Sequence, residues 1–291
     1  MVMFGRGKSK KREKGKASNK LIVIKPTKNL FQIDWEELWE ARDLLYFLTW
    51  RDIKIRYKQT VLGVLWILIQ PLISIVIFTI IFGNFAKIPS DNIPYPIFVF
   101  IGLLFWNFFS STLSSASNSL ISNENILKKI YFPRLLAPIS SILAHLVDLI
   151  PTFIILIGMM IYYKVGVTLQ MIILIPVLLL MILFCSMGAG LFLSPINAKF
   201  RDIRYILPFF IQLMMFATPV LYSTSMFGGT SKVVRMFNPV AEAIDVSRSG
   251  FFNTRPMDWP TFFFSIGLVV VIFLIGLIFF KSQEDSFVDI L

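Results

Sequence analysis

Between residues 261 and 280 the chain reads TFFFSIGLVVVIFLIGLIFF, with no charged side chain, and residues 61 to 86 are equally free of charge. A helix needs about 20 mostly apolar residues to cross the ~30 Å hydrocarbon core of a bilayer. Inside lipid its backbone polar groups must be satisfied within the segment itself. These two runs therefore make the chain an all-α integral membrane protein. Four further stretches qualify, approximately 96 to 117, 139 to 162, 168 to 195 and 204 to 223, so six spans are expected. A composition of 56% hydrophobic residues with 30 Phe and only 15% charged residues lies outside the range of a soluble domain.

The stretches differ in kind. The second passes from IFVFIGLLFWNFF into SSTLSSASNS, which suits a helix packed on protein through small residues. The fourth is too long for a straight crossing and contains Pro176, so tilt or a kink is expected. The fifth, RDIRYILPFFIQLMMFATPVLYS, carries Pro208, Gln212, Thr218 and Pro219. Such groups survive at membrane depth where protein or a water-filled cavity satisfies the freed backbone.

Charge sets the orientation. With both termini inside the cell, 22 of the 28 Lys and Arg fall in inner segments and six in outer loops, the bias expected of cytoplasmic termini. Fifteen of the 28 precede residue 61, so the net charge of +11 belongs to a membrane-flanking region facing anionic headgroups and argues against nucleic-acid binding. The organisation read from this is a basic cytoplasmic tail over 1–33, amphipathic interface helices over 34–60 and a six-helix domain over 61–291. The basic start is followed by only LIVI before Lys25 and Pro26, too short for the apolar region of a signal peptide.

Three segments do not span. Asp34 and Glu37 form a capping-box-like start. In the helix that follows, Tyr46, Trp50, Ile53 and Tyr57 share a face, with Arg51, Lys54 and Lys58 roughly 140° away, the pattern of a helix lying in the membrane interface. In the inner loop NENILKKIYFPRLLAP, residues 124 to 130 form two helical turns ended by Pro133; such a helix docks a partner or serves as a connector. Residues 224 to 260 are too apolar for a solvated loop and too interrupted by Gly228, Gly229 and Pro239 for a crossing, so a re-entrant helical hairpin in the outer leaflet is expected.

The chain offers little chemistry. GRGKS at residues 5 to 9 approaches a phosphate-binding loop, but Val2 stands where its first glycine belongs. There is one histidine, no metal-ligand spacing and no catalytic triad, so no catalytic or metal site is expected. Cys185, the lone cysteine, reads as a small apolar core residue. His145 and Asp148, three apart in the third span, read either as a proton relay or as a structural pair held by a neighbouring helix.

RDIKIRYKQTVLGVLWILIQPL, residues 51 to 72, resembles the entry to the first span of ABC-2 type permeases of the polysaccharide exporter group, through Arg56, Tyr57, Thr60, Leu62, Gly63, Trp66 and Pro71. KKIYFPRLLAP, the fifth span and NPVAEAIDVSRSGFF are similar to later motifs of that family, in the same order. The resemblance implies a half-transporter that pairs with itself and with two separate ATP-binding subunits, exporting lipid-linked O-antigen, capsular polysaccharide or teichoic acid across the bacterial cytoplasmic membrane. ATP and Mg would then sit on the partner, with no cofactor in this chain. An ABC-2 permease for a drug or small lipid, and a proton-coupled carrier, are the alternatives.

By the same resemblance, residues of the interface helix and the inner loop helix would couple to the ATPase: Arg51, Lys54, Arg56, Glu124, Asn125, Leu127 and Lys128. The outer hairpin would form a gate, with Phe227, Asn238, Pro239, Asp245 and Arg248 as its candidates. The first and fifth spans would line the path, where Trp66, Phe78, Phe82, Phe209, Gln212, Phe216 and Tyr222 are the candidates. Sugar faces slide over aromatic rings without strong directional bonds to arrest them.

Overall fold

The computed structural model describes residues 35–58, 63–129, 132–166, 169–200 and 202–284, and among these it is helical with no strand. The basic tail and Asp34 lie outside the described residues. The helices are α1 (Trp35–Glu40), α2 (Arg42–Lys58), α3 (Gly63–Phe78), α4 (Tyr95–Ser122), α5 (Glu124–Leu127), α6 (Leu136–Leu146), α7 (Leu149–Tyr162), α8 (Leu169–Lys199), α9 (Ile203–Ala217), α10 (Ser231–Phe237), α11 (Pro239–Phe252) and α12 (Trp259–Gln283). Among the described residues five segments are long and apolar enough to cross a membrane: Leu68–Phe85, Tyr95–Ser122, Leu136–Tyr162, Gln170–Lys199 and Trp259–Gln283.

The centre of the bundle is α4 packed against α8, with α12 on the other side of α8. Small residues bring these backbones together, which in lipid is the main source of helix association. A Cβ on Gly190 would lie 2.4 Å from that of Ala116, and one on Gly276 would lie 1.9 Å from the carbonyl oxygen of Gly188. The serine-rich half of α4 is thus a packing face: Thr112, Ser117 and Ser119 are buried, and the hydroxyls of Thr112 and Ser119 turn back on the helix or toward α8. At 31 residues α8 is continuous through Pro176 and Pro195. At 1.5 Å per residue it is ~46 Å long, so it tilts or protrudes.

Proline accounts for the break in the third span. The third span divides into α6 and α7 because Pro151 has no N–H for the Val147 carbonyl, which accepts from Ile150 N instead at 3.1 Å. The first span ends in a π-helical stretch, Thr79–Phe85.

The fifth stretch departs from the expected span of 204 to 223. Its helix is 15 residues long and stops at Ala217. A residue before proline is driven to extended backbone, and Thr218 takes φ −92°, ψ 138°. Thr218 and Pro219 are therefore buried in a turn and are not inside a helix, whereas Pro208 and Gln212 remain on the exposed surface of α9.

The segment from 224 onward folds as a 3₁₀ stretch (Thr224–Thr230), in which Gly228 supplies the positive φ of 53°, followed by α10 and α11. Asn238 caps α11 through Oδ1, which accepts from Ala241 N at 3.1 Å. Every residue from Pro239 to Arg248 is buried, against α4 and α8. Helix α11 is thus a core element despite its eleventh place in the chain.

Candidate functional site

Two polar constellations stand at opposite ends of α4. At the Ser122 end, α2 lies along α6 and buries Leu48 against Phe132 and Leu136. Ile126 and Leu127 of α5 pack on the same cluster. Arg51 ties the unit together: its Nη2 donates to Asn123 Oδ1 and to Asp52 Oδ1, each at 2.6 Å. Of the residues expected to couple to a partner, Arg51 and Arg56 turn inward, Leu127 packs, Glu124 bonds Lys128 at 2.6 Å, and Lys54 and Asn125 are exposed. The rings of Tyr46 and Trp50 are exposed, and the packed face is Leu44, Leu45 and Leu48.

Five residues beyond Arg51 on the same helix, Arg56 reaches into the bundle. Its Nη1 donates to Asp148 Oδ2 at 2.9 Å, and its Nη2 lies 2.7 Å from His145 Nε2. Tyr57 donates to Asp148 Oδ1 at 2.6 Å, and Ser115 Oγ lies 2.6 Å from His145 Nε2. Arginine has only donors and an ionised Asp only acceptors. With its proton on Nδ1, His145 donates to Asp148 at 3.0 Å while Nε2 accepts; Arg56 Nη1, 2.8 Å from Nδ1, then gives its hydrogen bond to Asp148 and not to the imidazole. Burial, reinforced by the bond to Asp148, pushes the Tyr57 hydroxyl above its usual range. His145 and Asp148 are thus held by α2 and α4, as the structural reading of that pair requires.

The cluster forms one end of a cavity of about 850 Å³. Trp66, Gln70 and Pro71 line it from α3, Phe100 through Ser111 from α4, and Leu149 and Thr152 from α7. Helix α3 is thinly attached: Ile75 is its one buried residue among those described. In α9 Leu207 is the one buried residue, and Phe209, Phe216 and Gln212 are exposed. Phe78, Phe82 and Tyr222 instead pack partly against the core, and Tyr222 donates to the Phe216 carbonyl at 2.8 Å. The path-lining candidates therefore divide into exposed rings and rings that pack inward.

At the Tyr95 end, Arg248 is fully enclosed. It donates to the carbonyl oxygens of Pro219 (2.8 Å), Tyr222 (3.3 Å), Val220 (2.6 Å) and Phe98 (3.0 Å). Its guanidinium also lies 3.5 Å from the centre of the Phe98 ring. Three carbonyl groups of the turn that follows α9, together with that of Phe98 in α4, are thus collected by one arginine of α11. Asn238 Nδ2 adds a bond to Thr218 Oγ1 at 3.0 Å.

Around this staple lies an ionic network. Arg255 bonds Asp91 at 2.9 Å, Ser223 and Ser225 donate to Asp91, and Thr224 donates to Asp245. Arg235 lies 3.4 Å from Glu242, 3.5 Å from Asp245 and 3.6 Å from Asp258. Burial works against ionisation of Asp91, but the two serine hydroxyls and Arg255 outweigh it and hold the carboxyl below its usual range. Burial raises Glu242 to about 7 despite Arg235. Of the gate candidates, Asn238, Asp245 and Arg248 belong to these networks, Pro239 starts α11, and Phe227 packs edge-on against Tyr222. Sequence reasoning missed Asp91, Arg235, Arg255 and Ser115.

Residues 43–252 match the ABC-2 type transporter family. The chain belongs to that family. It is a multi-pass membrane protein and a transport permease. It is 28% identical over 250 residues to the O-antigen export system permease protein RfbA of Klebsiella pneumoniae, covering 86% of this chain and 95% of that protein. The corresponding RfbA of Myxococcus xanthus is 27% identical over 256 residues, 87% of this chain and 97% of its own length. The polysialic acid transport protein KpsM of Escherichia coli is 23% identical over 244 residues, 81% of this chain and 92% of that protein.

Proposed function

We infer that this chain is the permease of an ATP-driven exporter that moves a lipid-linked polysaccharide, of the O-antigen, capsule or teichoic acid kind, across the bacterial cytoplasmic membrane. The observation that carries the reading is the near full-length similarity to permeases named for O-antigen export and polysialic acid transport. Both termini are cytoplasmic, as the distribution of Lys and Arg favours. Helix α9 completes a sixth crossing together with the buried turn at 218–222, and α10 and α11 form a re-entrant hairpin behind it. The rings of Tyr46 and Trp50 on α2 lie in the headgroup layer.

Two copies assemble with two ATP-binding subunits, which carry the ATP and Mg. Among the described residues of helices α3 and α9 only Ile75 and Leu207 are buried in their own chain, and this supports their meeting across the dimer around the polymer path. The exposed rings of Trp66, Phe209 and Phe216 then offer a sliding surface to the apolar faces of sugars. Coupling to the ATPase runs through α2 and α5, which Arg51 and Asn123 join into one body.

The test is to purify the tagged chain in mild detergent, weigh the intact complex and identify its subunits. Two permeases with two ATP-binding subunits are expected; a complex without an ATPase, reproducible across detergents, refutes the reading. Replacing Phe209 and Phe216 by Ala should lower polymer export with the complex intact. Unchanged export would remove the aromatic path.

A further inference from the structure

The 850 Å³ cavity is graded along its length. Helix α4 follows it from Phe100 to Ser111, ~16 Å at 1.5 Å per residue. At the Ser111 end the walls are Arg56, His145 and Asp148, with the hydroxyl of Ser110 and the amide of Asn107 nearby. Toward Phe100 the α4 wall becomes apolar, with Leu104 and Phe100 itself, and Pro71 and Leu149 add apolar surface from α3 and α7. The cavity is not closed: Trp66, on its α3 wall, is 54% exposed. A cation and hydrogen-bonding groups at one end and an apolar wall leading away from them match an amphiphile with an anionic head.

The ion pair at the polar end is built to exchange. Asp148 has three donors: Arg56 at 2.9 Å, Tyr57 at 2.6 Å and His145 at 3.0 Å. If Arg56 turns to another anion, Asp148 keeps the other two, so neither carboxylate oxygen is stranded. A guanidinium presents two parallel N–H groups that fit a phosphate in fork geometry. Both Nη atoms of Arg56 already face inward, Nη1 toward Asp148 and His145 Nδ1 and Nη2 toward His145 Nε2.

We propose that this cavity seats the phosphorylated head of the lipid carrier, with Arg56 leaving Asp148 to bind the phosphate and the Phe100–Leu104 side receiving the start of the lipid chain. The inference rests on the exporter reading and adds the entry site for its substrate. The thin attachment of α3, with Ile75 its one buried residue among those described, leaves a side of the cavity through which the lipid arrives from the inner leaflet.

The test measures binding and not export. The full chain in phosphatidylcholine nanodiscs is titrated with a radiolabelled polyprenyl monophosphate carrying no sugar, and with the matching polyprenol. The phosphate form should bind and the alcohol should not. Arg56→Gln should weaken binding about tenfold, the value of one charge-assisted hydrogen bond. Asp148→Asn removes the competing carboxylate and should strengthen binding several-fold, a gain that a misfolded variant cannot produce. Weakening by both variants would make the pair a structural strut and overturn the proposal. Equal binding of the polyprenol, or displacement by phosphatidylglycerol at matching concentration, would overturn it too, the latter in favour of ordinary membrane lipid. Failure here leaves the subunit composition unchanged, so it is separable from failure of the exporter reading.

Discussion

Arg248 offers the sharpest test of how this fold tolerates a helix broken at membrane depth. Its guanidinium satisfies four carbonyl oxygens, three of them from the turn that Pro219 creates. Removing the partner of a buried polar group costs about 1–3 kcal/mol for each group left unsatisfied. The Phe98 carbonyl keeps its place in the α4 ladder, so three turn carbonyl groups set an upper range near about 9 kcal/mol; relief of the charge's own desolvation offsets part of it, and breaking a buried charged assembly typically costs about 3–5 kcal/mol. Arg248→Ala should therefore lower the midpoint of thermal unfolding by about 10 °C, taking about 2–4 °C per kcal/mol for a chain of this size. Arg248→Lys recovers little, since one ammonium cannot reach four separated acceptors. Gly102 sharpens the test, because a Cβ there would lie 2.5 Å from the Val220 carbonyl oxygen and 2.6 Å from Arg248 Nη2. Gly102→Ala should destabilise alone yet add little to Arg248→Ala, since both disrupt one contact. Melting in detergent with a thiol-independent dye checks both. A loss under 2 °C for Arg248→Ala, or full additivity in the double variant, would refute the staple.

Glu242, entirely buried, is raised from 4.5 to about 7, so the folded state holds its proton more tightly than the unfolded chain does. The stability this contributes is fully present below about 4.5 and is lost as pH rises through about 7. Glu242→Gln should flatten the fall in melting temperature between those limits, by roughly 3 kcal/mol at pH 8; a slope unchanged by the substitution would contradict it. Gly276→Ala drives a methyl group into the Gly188 carbonyl and should cost about 1–3 kcal/mol or separate α8 from α12. Gly267→Ala in the same helix meets nothing within 4 Å and should be neutral or gain about 0.5–1 kcal/mol, as melting of the two variants side by side will show. Arg51→Ala releases α2 from Asn123 and should reduce ATP-driven export more than ATP hydrolysis, measured in the same vesicles.

The class of fold was legible because charge-free runs of span length have few other solutions, and residues 261 to 280 fall within α12. The serine-rich half of α4 was legible too, since small polar residues in an apolar helix make sense chiefly as a contact face. The end of α9 was not. Thr218 and Pro219 lie in an apolar stretch that hydropathy reads as continuous, and what stops the helix there is completed by Arg248, 29 residues away in the chain. The partners of His145 and Asp148 were hidden for the same reason: Arg56 lies 89 residues from one and 92 from the other. Periodicity reports which face of a helix is apolar and is silent on which distant side chain answers an isolated polar one.

Those long-range pairs also separate the parts of the molecule that are held from the parts that are free to move. Arg248 fixes the turn after α9 to α4 and α11, while the helix before that turn has one buried residue, Leu207. Arg56 fixes the end of α2 to the break between α6 and α7, while α3, which follows α2, has only Ile75 buried among its described residues. Helices anchored at one end and weakly packed along their length pivot with less disruption than ones buried throughout, because few contacts need to be remade. A displacement of α2 by a partner would therefore reach α3 first, with the α4–α8–α12 core, joined at Gly188, Gly190 and Gly276, serving as the fixed frame.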